Sequence, residues 1–320
     1  MEERQRKEIA SMAGPDVRFD QPMRLYTTFR AGGNAAVFYR ARRLDDLRRV
    51  LSYAGAENIP VLVVGKGSNL LVTDRGFDGI AVRLLGEMAR VEFRRPNQIL
   101  DTGGGATVRM MMKTCIEHGL GGLEFLAGIP GTAGGAVVMN AGAHGRETGD
   151  AVESVQWVTP QGELEDFPAR KLTFSYRKGL LPRGVVVTKV RFRVGPESPD
   201  VVLGRMESHL ARRRRTLPRG VPSAGSVFRN PEGDSAGRLV ESAGLKGRQV
   251  GGAMISEVHA NVIVNTGGAT AADILSLMAL ARNEVRQRTG IDLEPEIHVI
   301  GSGEGFLNPV PAGPGPMKAE

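Results

Sequence analysis

The chain has 320 residues, 41% hydrophobic and 24% charged, with a formal net charge of +7 and a pI near 9.8. That length allows two or three compact units, each with its own core, and no apolar run of about 18 residues is available to span a bilayer. The positive balance favours anionic partners, without choosing among nucleic acid, membrane surface and phosphorylated small molecules.

Residues 1–20 begin MEERQRKEIA, charged throughout and lacking the apolar stretch of a secretory signal. They read as a flexible arm on a cytoplasmic protein. Leu44, Leu47, Leu51 and Ala54 share one face of a helix from about Leu44 to Glu57, followed by an apolar strand at Val61–Val64. A second helix, from about Thr107 to His118, stops at Gly119. It carries the one cysteine, Cys115, beside Met111, Met112 and Ile116, where a buried small hydrophobe is a better reading than a reactive thiol. Strand-like segments follow at Ser154–Val158 and Val185–Val194, and the turn GPESPD marks a domain boundary near residue 199. Beyond it lie a helix over 201–215 with Leu203, Met206 and Leu210 on its apolar face, a short helix near Ala236–Ala243, and a long one from Ala271 to Thr289. Thr270 and Asp273 form a capping pair for the long helix and Gly290 ends it. The basic run Arg212–Arg215 is open to three readings: a solvated helix end offsetting the dipole, a diphosphate-facing patch, or a nucleic-acid surface. Residues 303–320, rich in glycine and proline, read as a disordered tail.

Two glycine loops carry the first chemical signal. In VLVVGKGSNLLV, an apolar strand enters Gly65, Lys66, Gly67, Ser68 and Asn69 and leaves as another strand. The glycines permit close backbone approach to a pyrophosphate, successive amides can converge as an anion nest, and Ser68 and Asn69 add donors. An ordinary glycine hairpin is the plainer alternative. The second loop, Gly128-Ile129-Pro130-Gly131-Thr132 followed by Ala133, Gly134 and Gly135, repeats that logic. With neither GxGxxG nor GxxxxGK[ST] in the chain, a dinucleotide would bind in neither the Rossmann nor the P-loop manner. A non-Rossmann flavin site fits best.

These loops belong to a longer ordered set. It comprises Thr28-Phe29-Arg30-Ala31-Gly32-Gly33-Asn34-Ala35, the GKGSN and GIPGTAGGA loops with Asn140-Ala141-Gly142-Ala143, Phe174-Ser175-Tyr176-Arg177, Ala224-Gly225-Ser226-Val227-Phe228-Arg229-Asn230-Pro231, and Leu293-Glu294-Pro295-Glu296. In order and spacing, over residues 25–302, the set resembles the MurB reductases. The resemblance implies an α+β fold of the vanillyl-alcohol-oxidase (PCMH) type. An FAD-binding region over 21–199, in subdomains of about 21–95 and 96–199, would precede a substrate-binding α+β domain over 200–302. It implies non-covalent FAD, since Gly32-Gly33-Asn34 supplies no histidine for tethering, and the compact C-terminal half looks like the shorter of the two MurB types. The polar Arg219–Pro222 segment departs from the pattern. The implied partners are NADPH and UDP-N-acetylglucosamine enolpyruvate, with no nucleic acid or membrane partner and a monomeric chain.

The implied reaction passes hydride from NADPH through flavin to the terminal alkene carbon, so the inner carbon needs a proton donor and its carboxylate needs cations. The resemblance makes Ser226 the donor; read alone, it is as well a turn serine. Arg177, whose planar fork suits a carboxylate, could equally pair with a surface acid. Glu296 would support protonation, although the alternation of Leu293, Ile297 and Val299 against Glu294, Glu296 and His298 also allows a solvent-facing carboxylate. Tyr176, Arg229 and Asn230 would contact the nucleotide sugar. The five histidines show no metal-ligand spacing, so no metal is expected. Two rivals remain: another FAD oxidoreductase acting on an alcohol or lactone, and a non-enzymatic nucleotide-sugar or nucleic-acid binder.

Overall fold

The computed structural model describes residues 1–301, and the expected disordered tail over 303–320 lies outside them. The first unit is a four-stranded sheet in the order Val17–Pro22, Asn34–Ala41, Phe77–Leu84, Val61–Val63; the last three are parallel neighbours and the first is antiparallel. Helix α2 (Leu44–Ala56) buries Leu47, Val50, Leu51 and Ala54 against it, while Leu44 stays at the margin. The arm expected over residues 1–20 is instead helix α1 (Glu3–Ala13) and the edge strand. Ile9 and Ala13, one turn apart, enter the same core, with Gln5 Oε1 accepting the Glu2 amide at 3.1 Å. The dense charge of MEERQRKEIA lies on the outer face and masks this two-residue apolar seam.

The second unit is a five-stranded antiparallel sheet in the order Leu164–Pro168, Val152–Val158, Val186–Arg193, Ile99–Gly103, Val91–Arg94. Helix α3 (Val108–His118) packs on it, with Thr107 Oγ1 accepting from the Met110 amide and Gly119 in the left-handed conformation at φ 61°. Cys115 and Trp157 are buried in this core. Helix α4 (Ala133–Val138) lies beside them. Helix α5 (Pro199–Thr216) also belongs here and not to the C-terminal domain. Val202 and Met206 join this core, and Arg205 pairs with Glu124 and Glu197. The apolar face expected at Leu203 is one position off, since Leu203 is exposed. The boundary therefore falls after α5, near residue 217, and not at 199.

The third unit is a four-stranded antiparallel sheet in the order Ser223–Ser226, Val262–Asn265, Ala253–Ile255, Gln249–Val250, covered by α6 (Ala236–Ser242) and α7 (Ala271–Thr289). Thr270 and Asp273 make the reciprocal capping box of α7 and Gly290 ends it at φ 75°. The chain then returns to the first unit, where His298–Ile300 pairs in parallel with Leu70–Val72. Asp74 of the first unit accepts from the Ala271 and Ala272 amides at 2.9 Å each, so its carboxylate sits on the positive end of the α7 dipole. Among the described residues no helix is long and apolar enough to cross a membrane.

Candidate functional site

The two glycine loops meet. Gly65 lies so close to Thr132 that a β-carbon there would come within 2.8 Å of Oγ1, and Ser68 Oγ donates to the Pro130 carbonyl. Gly67, at φ 64°, would place a β-carbon 2.0 Å from the Tyr26 carbonyl oxygen. Both glycines thus answer first to packing within the protein. That packing requirement stands beside the expectation that the same glycines let a pyrophosphate approach. Their amides are another matter. Among the described residues, the backbone N–H groups of Gly65, Lys66, Gly67 and Ser68 have no acceptor, and an open run of donors of this kind favours an anion. Across the junction, Thr132 caps α4 by accepting from the Gly135 amide at 3.3 Å, Gly131 faces open space, and Ile129 packs into the second core. A β-carbon on Gly128, at φ 80°, would come within 2.8 Å of Leu210 and 3.2 Å of Arg213 on α5.

Tyr176 and Arg177 are the two turn residues of a hairpin in which Ser175 pairs with Lys178. Arg177 adopts φ 57°, uncommon for a residue with a side chain, and is held by contacts at its far end. Its Nη1 donates to the Gly142 carbonyl at 2.8 Å, and its Nε stands 3.1 Å from Glu296 Oε1. The latter is an ion pair whose angle is not that of a hydrogen bond, so the buried Nε keeps an unused donor. Asn140, fully buried, holds the hairpin in place: it donates to Glu147 at 2.6 Å and to the Ser175 carbonyl at 2.9 Å, and accepts from the Gly149 amide at 2.9 Å.

The Ser226 strand supplies the opposite wall. Ser223 faces Val264 and Ser226 faces Val262, so the strand takes one extra residue between them, with Gly225 at φ 73°. Such a bulge turns the following side chain out of the regular alternation, and Ser226 Oγ has no hydrogen-bond partner among the described residues. Immediately afterwards the chain pairs with residues 294–296: Glu296 donates its amide to the Val227 carbonyl and Arg229 donates its own to the Glu294 carbonyl, both at 2.8 Å. Glu296 therefore pairs with Val227, the residue after Ser226, and its side chain is 15% exposed, whereas Glu294 is 74% exposed and reaches Arg229 only at 3.7 Å. Burial raises the Glu296 carboxyl above its ordinary pKa, against the opposing charges of Arg177 and Arg229.

Comparison with known proteins decides the family. A model of the UDP-N-acetylenolpyruvoylglucosamine reductase C-terminal domain matches residues 217–300, and an FAD binding domain model matches residues 35–167. Curated UDP-N-acetylenolpyruvoylglucosamine reductases are 41% identical in Symbiobacterium thermophilum (91% of this chain, 94% of that one) and 42% in Geobacter metallireducens (91% and 96%). The solved MurB of Thermus caldophilus superposes with a TM-score of 0.78 at 36% identity, over 89% of this chain and 98% of that one. The chain belongs to the UDP-N-acetylenolpyruvoylglucosamine reductase (MurB) family. It is accordingly an FAD-dependent oxidoreductase of peptidoglycan precursor synthesis, with NADPH as reductant.

For a MurB enzyme the residues present fit the cofactor. The unsatisfied amides at Gly65–Ser68, next to the Thr132-capped loop, suit its pyrophosphate. Among the described residues no cluster of three or more His, Cys, Asp or Glu could hold a metal ion. Asn230, expected against substrate, uses its Oδ1 to accept from the Ala236 amide at the start of α6 at 3.1 Å. Tyr176 is 47% exposed, its ring 5.3 Å from the Arg177 guanidinium. Arg213, within the basic run that the sequence left open to three readings, lies near Gly128; burial, and then the like charge of Arg177, hold its pKa below the usual value. Within the basic run the solvated-end reading therefore fails for this residue. Sequence reasoning missed His298 and Met139, whose Nε2 and Sδ stand 3.1 Å apart, with Asn69 Nδ2 3.4 Å from the same sulfur. Neither carries a local sequence signal.

Proposed function

We propose that Ser226 donates the proton, and that Arg177 and Glu296 hold the carboxylate end of the substrate, in the reduction of UDP-N-acetylglucosamine enolpyruvate to UDP-N-acetylmuramate. The observation that carries this is the bulge at Gly225, which frees the Ser226 hydroxyl beside the paired segment that buries Glu296 against Arg177. FAD held at the Gly65–Ser68 and Thr132 loops would supply the redox chemistry, delivery of a hydride equivalent from NADPH to the terminal alkene carbon. The inner carbon then bears the electron pair, and the Ser226 O–H is placed to protonate it, regaining its proton from solvent. Arg177, with its unused Nε donor, stabilises the carboxylate into which that charge spreads, and Glu296 keeps the guanidinium oriented and tunes the charge around it. Arg229 and Tyr176 line the substrate side, with Asn230 holding the turn between them and α6. Gly65, Lys66, Gly67, Ser68 and Asn69, with Gly128, Ile129, Gly131, Thr132 and Gly135, form the FAD cradle. Anaerobic stopped-flow of Ser226→Ala tests the assignment. Flavin bleaching by NADPH should keep its rate while recolouring by the enolpyruvyl substrate slows about 10²- to 10⁴-fold; equal losses in both halves refute the role of Ser226.

A further inference from the structure

We infer that the cavity between the residue 142–147 hairpin and the C-terminal half of α5 is a phosphate subsite, which takes a phosphoryl group of the nucleotides this reductase uses. The inference rests on the reductase reading for its choice of ligands. The cavity, about 640 Å³, is lined by His144, Gly145, Ser208, His209 and Arg212. The two imidazoles stack with ring centres 3.8 Å apart and planes 17° from parallel. Every polar side chain in the lining can donate a hydrogen bond, and none is a carboxylate.

The charge here is uncompensated. His209, Arg212 and Arg213 fall at i, i+3 and i+4 of α5, hence on one face. None of them, nor His144, has a carboxylate within ion-pair distance among the described residues. Arg205, earlier on the same helix, has two such partners, Glu124 at 3.1 Å and Glu197 at 3.0 Å. A helix that neutralises one arginine and gathers His209, Arg212 and Arg213 on a single face, with no carboxylate among them, leaves a place for an external anion.

The hairpin supports this. Ala143 pairs with Arg146, which makes His144 and Gly145 its two turn residues, at φ 57° and 77°. Asparagine or glycine adopts the first position at less cost. Histidine there places an imidazole against His209 at the expense of backbone strain. The cavity also adjoins the reacting centre. Gly142, two residues and so at most about 7 Å of chain before His144, accepts from Arg177 Nη1 at 2.8 Å. A ligand with one end at Arg177 therefore reaches the cavity within the span of a nucleotide sugar. Two sources share the chemistry: the diphosphate of the UDP-sugar and the phosphates of NADPH.

The test uses the full-length, flavin-loaded protein at constant ionic strength. Binding of inorganic pyrophosphate is measured by calorimetry, and KM is measured for NADPH, NADH and the enolpyruvyl substrate, in wild type, Arg212→Ala, His209→Ala and the exposed control Arg214→Ala. Arg212→Ala and His209→Ala should each weaken pyrophosphate about tenfold, raise KM for one nucleotide in parallel, and leave kcat within about twofold; Arg214→Ala should do none of these. A rise confined to the UDP-sugar assigns the subsite to the substrate diphosphate. A rise for NADPH but not NADH assigns it to the 2′-phosphate, and a rise for both to the dinucleotide pyrophosphate. Pyrophosphate binding and KM values all within twofold of wild type overturn the inference, as does weakened pyrophosphate binding with every KM unchanged, or an equal loss in Arg214→Ala. Loss of pyrophosphate binding in a protein that never reduces the enolpyruvyl substrate would sink the reductase reading while leaving an anion site.

Discussion

Replacing Glu296 by glutamine keeps the size of the side chain and removes its charge, which separates what the carboxylate does for folding from what it does for turnover. The side chain is 15% exposed and burial raises its pKa. A carboxyl whose folded pKa lies above its unfolded value contributes most below about pH 4.5, and that contribution is lost as pH rises through the folded value. The unfolding free energy of wild type minus that of Glu296→Gln should therefore fall as pH climbs from about 4.5 and flatten above the folded pKa. Removing one member of a fully buried ion pair costs about 3–5 kcal/mol. Arg177, however, is 27% exposed and keeps the Gly142 carbonyl at 2.8 Å and the Tyr176 ring, so its charge is not stranded. The net stability change at pH 7 is expected to be within about 1 kcal/mol. Reoxidation by substrate should slow about 10²- to 10³-fold, equivalent to about 2.7–4 kcal/mol of lost charge stabilisation, with NADPH-driven bleaching unchanged. Urea unfolding across pH 4.5–8 and anaerobic stopped-flow are the assays. A stability loss of about 3 kcal/mol or more, or a stability difference that does not vary with pH, would refute the reasoning.

Gly67→Ala should destabilise by about 1–3 kcal/mol from left-handed strain alone and lower the flavin content after gel filtration. Its β-carbon would sit 2.0 Å from the Tyr26 carbonyl oxygen, and full flavin content would contradict the rigid-cradle account. Asn140→Ala removes three hydrogen bonds at a fully buried side chain, so a loss of about 2–4 kcal/mol in urea unfolding is expected. A loss under about 0.5 kcal/mol would mean that water replaces those bonds. Cys115, buried and with its pKa pushed up to about 12, should react with Ellman's reagent at pH 8 only as fast as the protein opens. Rapid labelling of the native protein would contradict the packing of the second core.

The elements written in local pattern were readable from sequence: α2 from its 3.6-residue apolar period, α3 from Thr107 and Gly119 at its ends, α7 from its capping box. What failed was non-local. The seam of α1 needs only Ile9 and Ala13, too few to show through seven charged or polar neighbours, and α5 joins the second core through Val202 and Met206, a choice of partner that no helical period reveals. Two-residue strands such as Gly142–Ala143 with Arg146–Glu147 are too short to leave a pattern, although they position His144 and hold Arg177. Glu294 and Glu296 are chemically identical in sequence. The pairing of residues 227–229 with 294–296 makes one solvent-facing and one buried, and only the family resemblance pointed to the second.

The packing of the two glycines bears on how the site works. Because Gly65 and Gly67 are packed against Thr132 and Tyr26, the amide run of the first loop is fixed by contacts within the protein itself. Cofactor binding then spends little on ordering the loop. Asn69 ties the same loop to residues 296–298: its Nδ2 donates to the Glu296 carbonyl at 3.1 Å, and its own carbonyl accepts from the His298 amide at 2.9 Å. The proposed FAD loop and the Glu296 carboxylate are thus joined through the returning strand His298–Ile300 on Leu70–Val72. Cutting the Asn69 link with Asn69→Ala should therefore disturb both flavin retention and reoxidation by substrate, where Ser226→Ala should slow reoxidation alone.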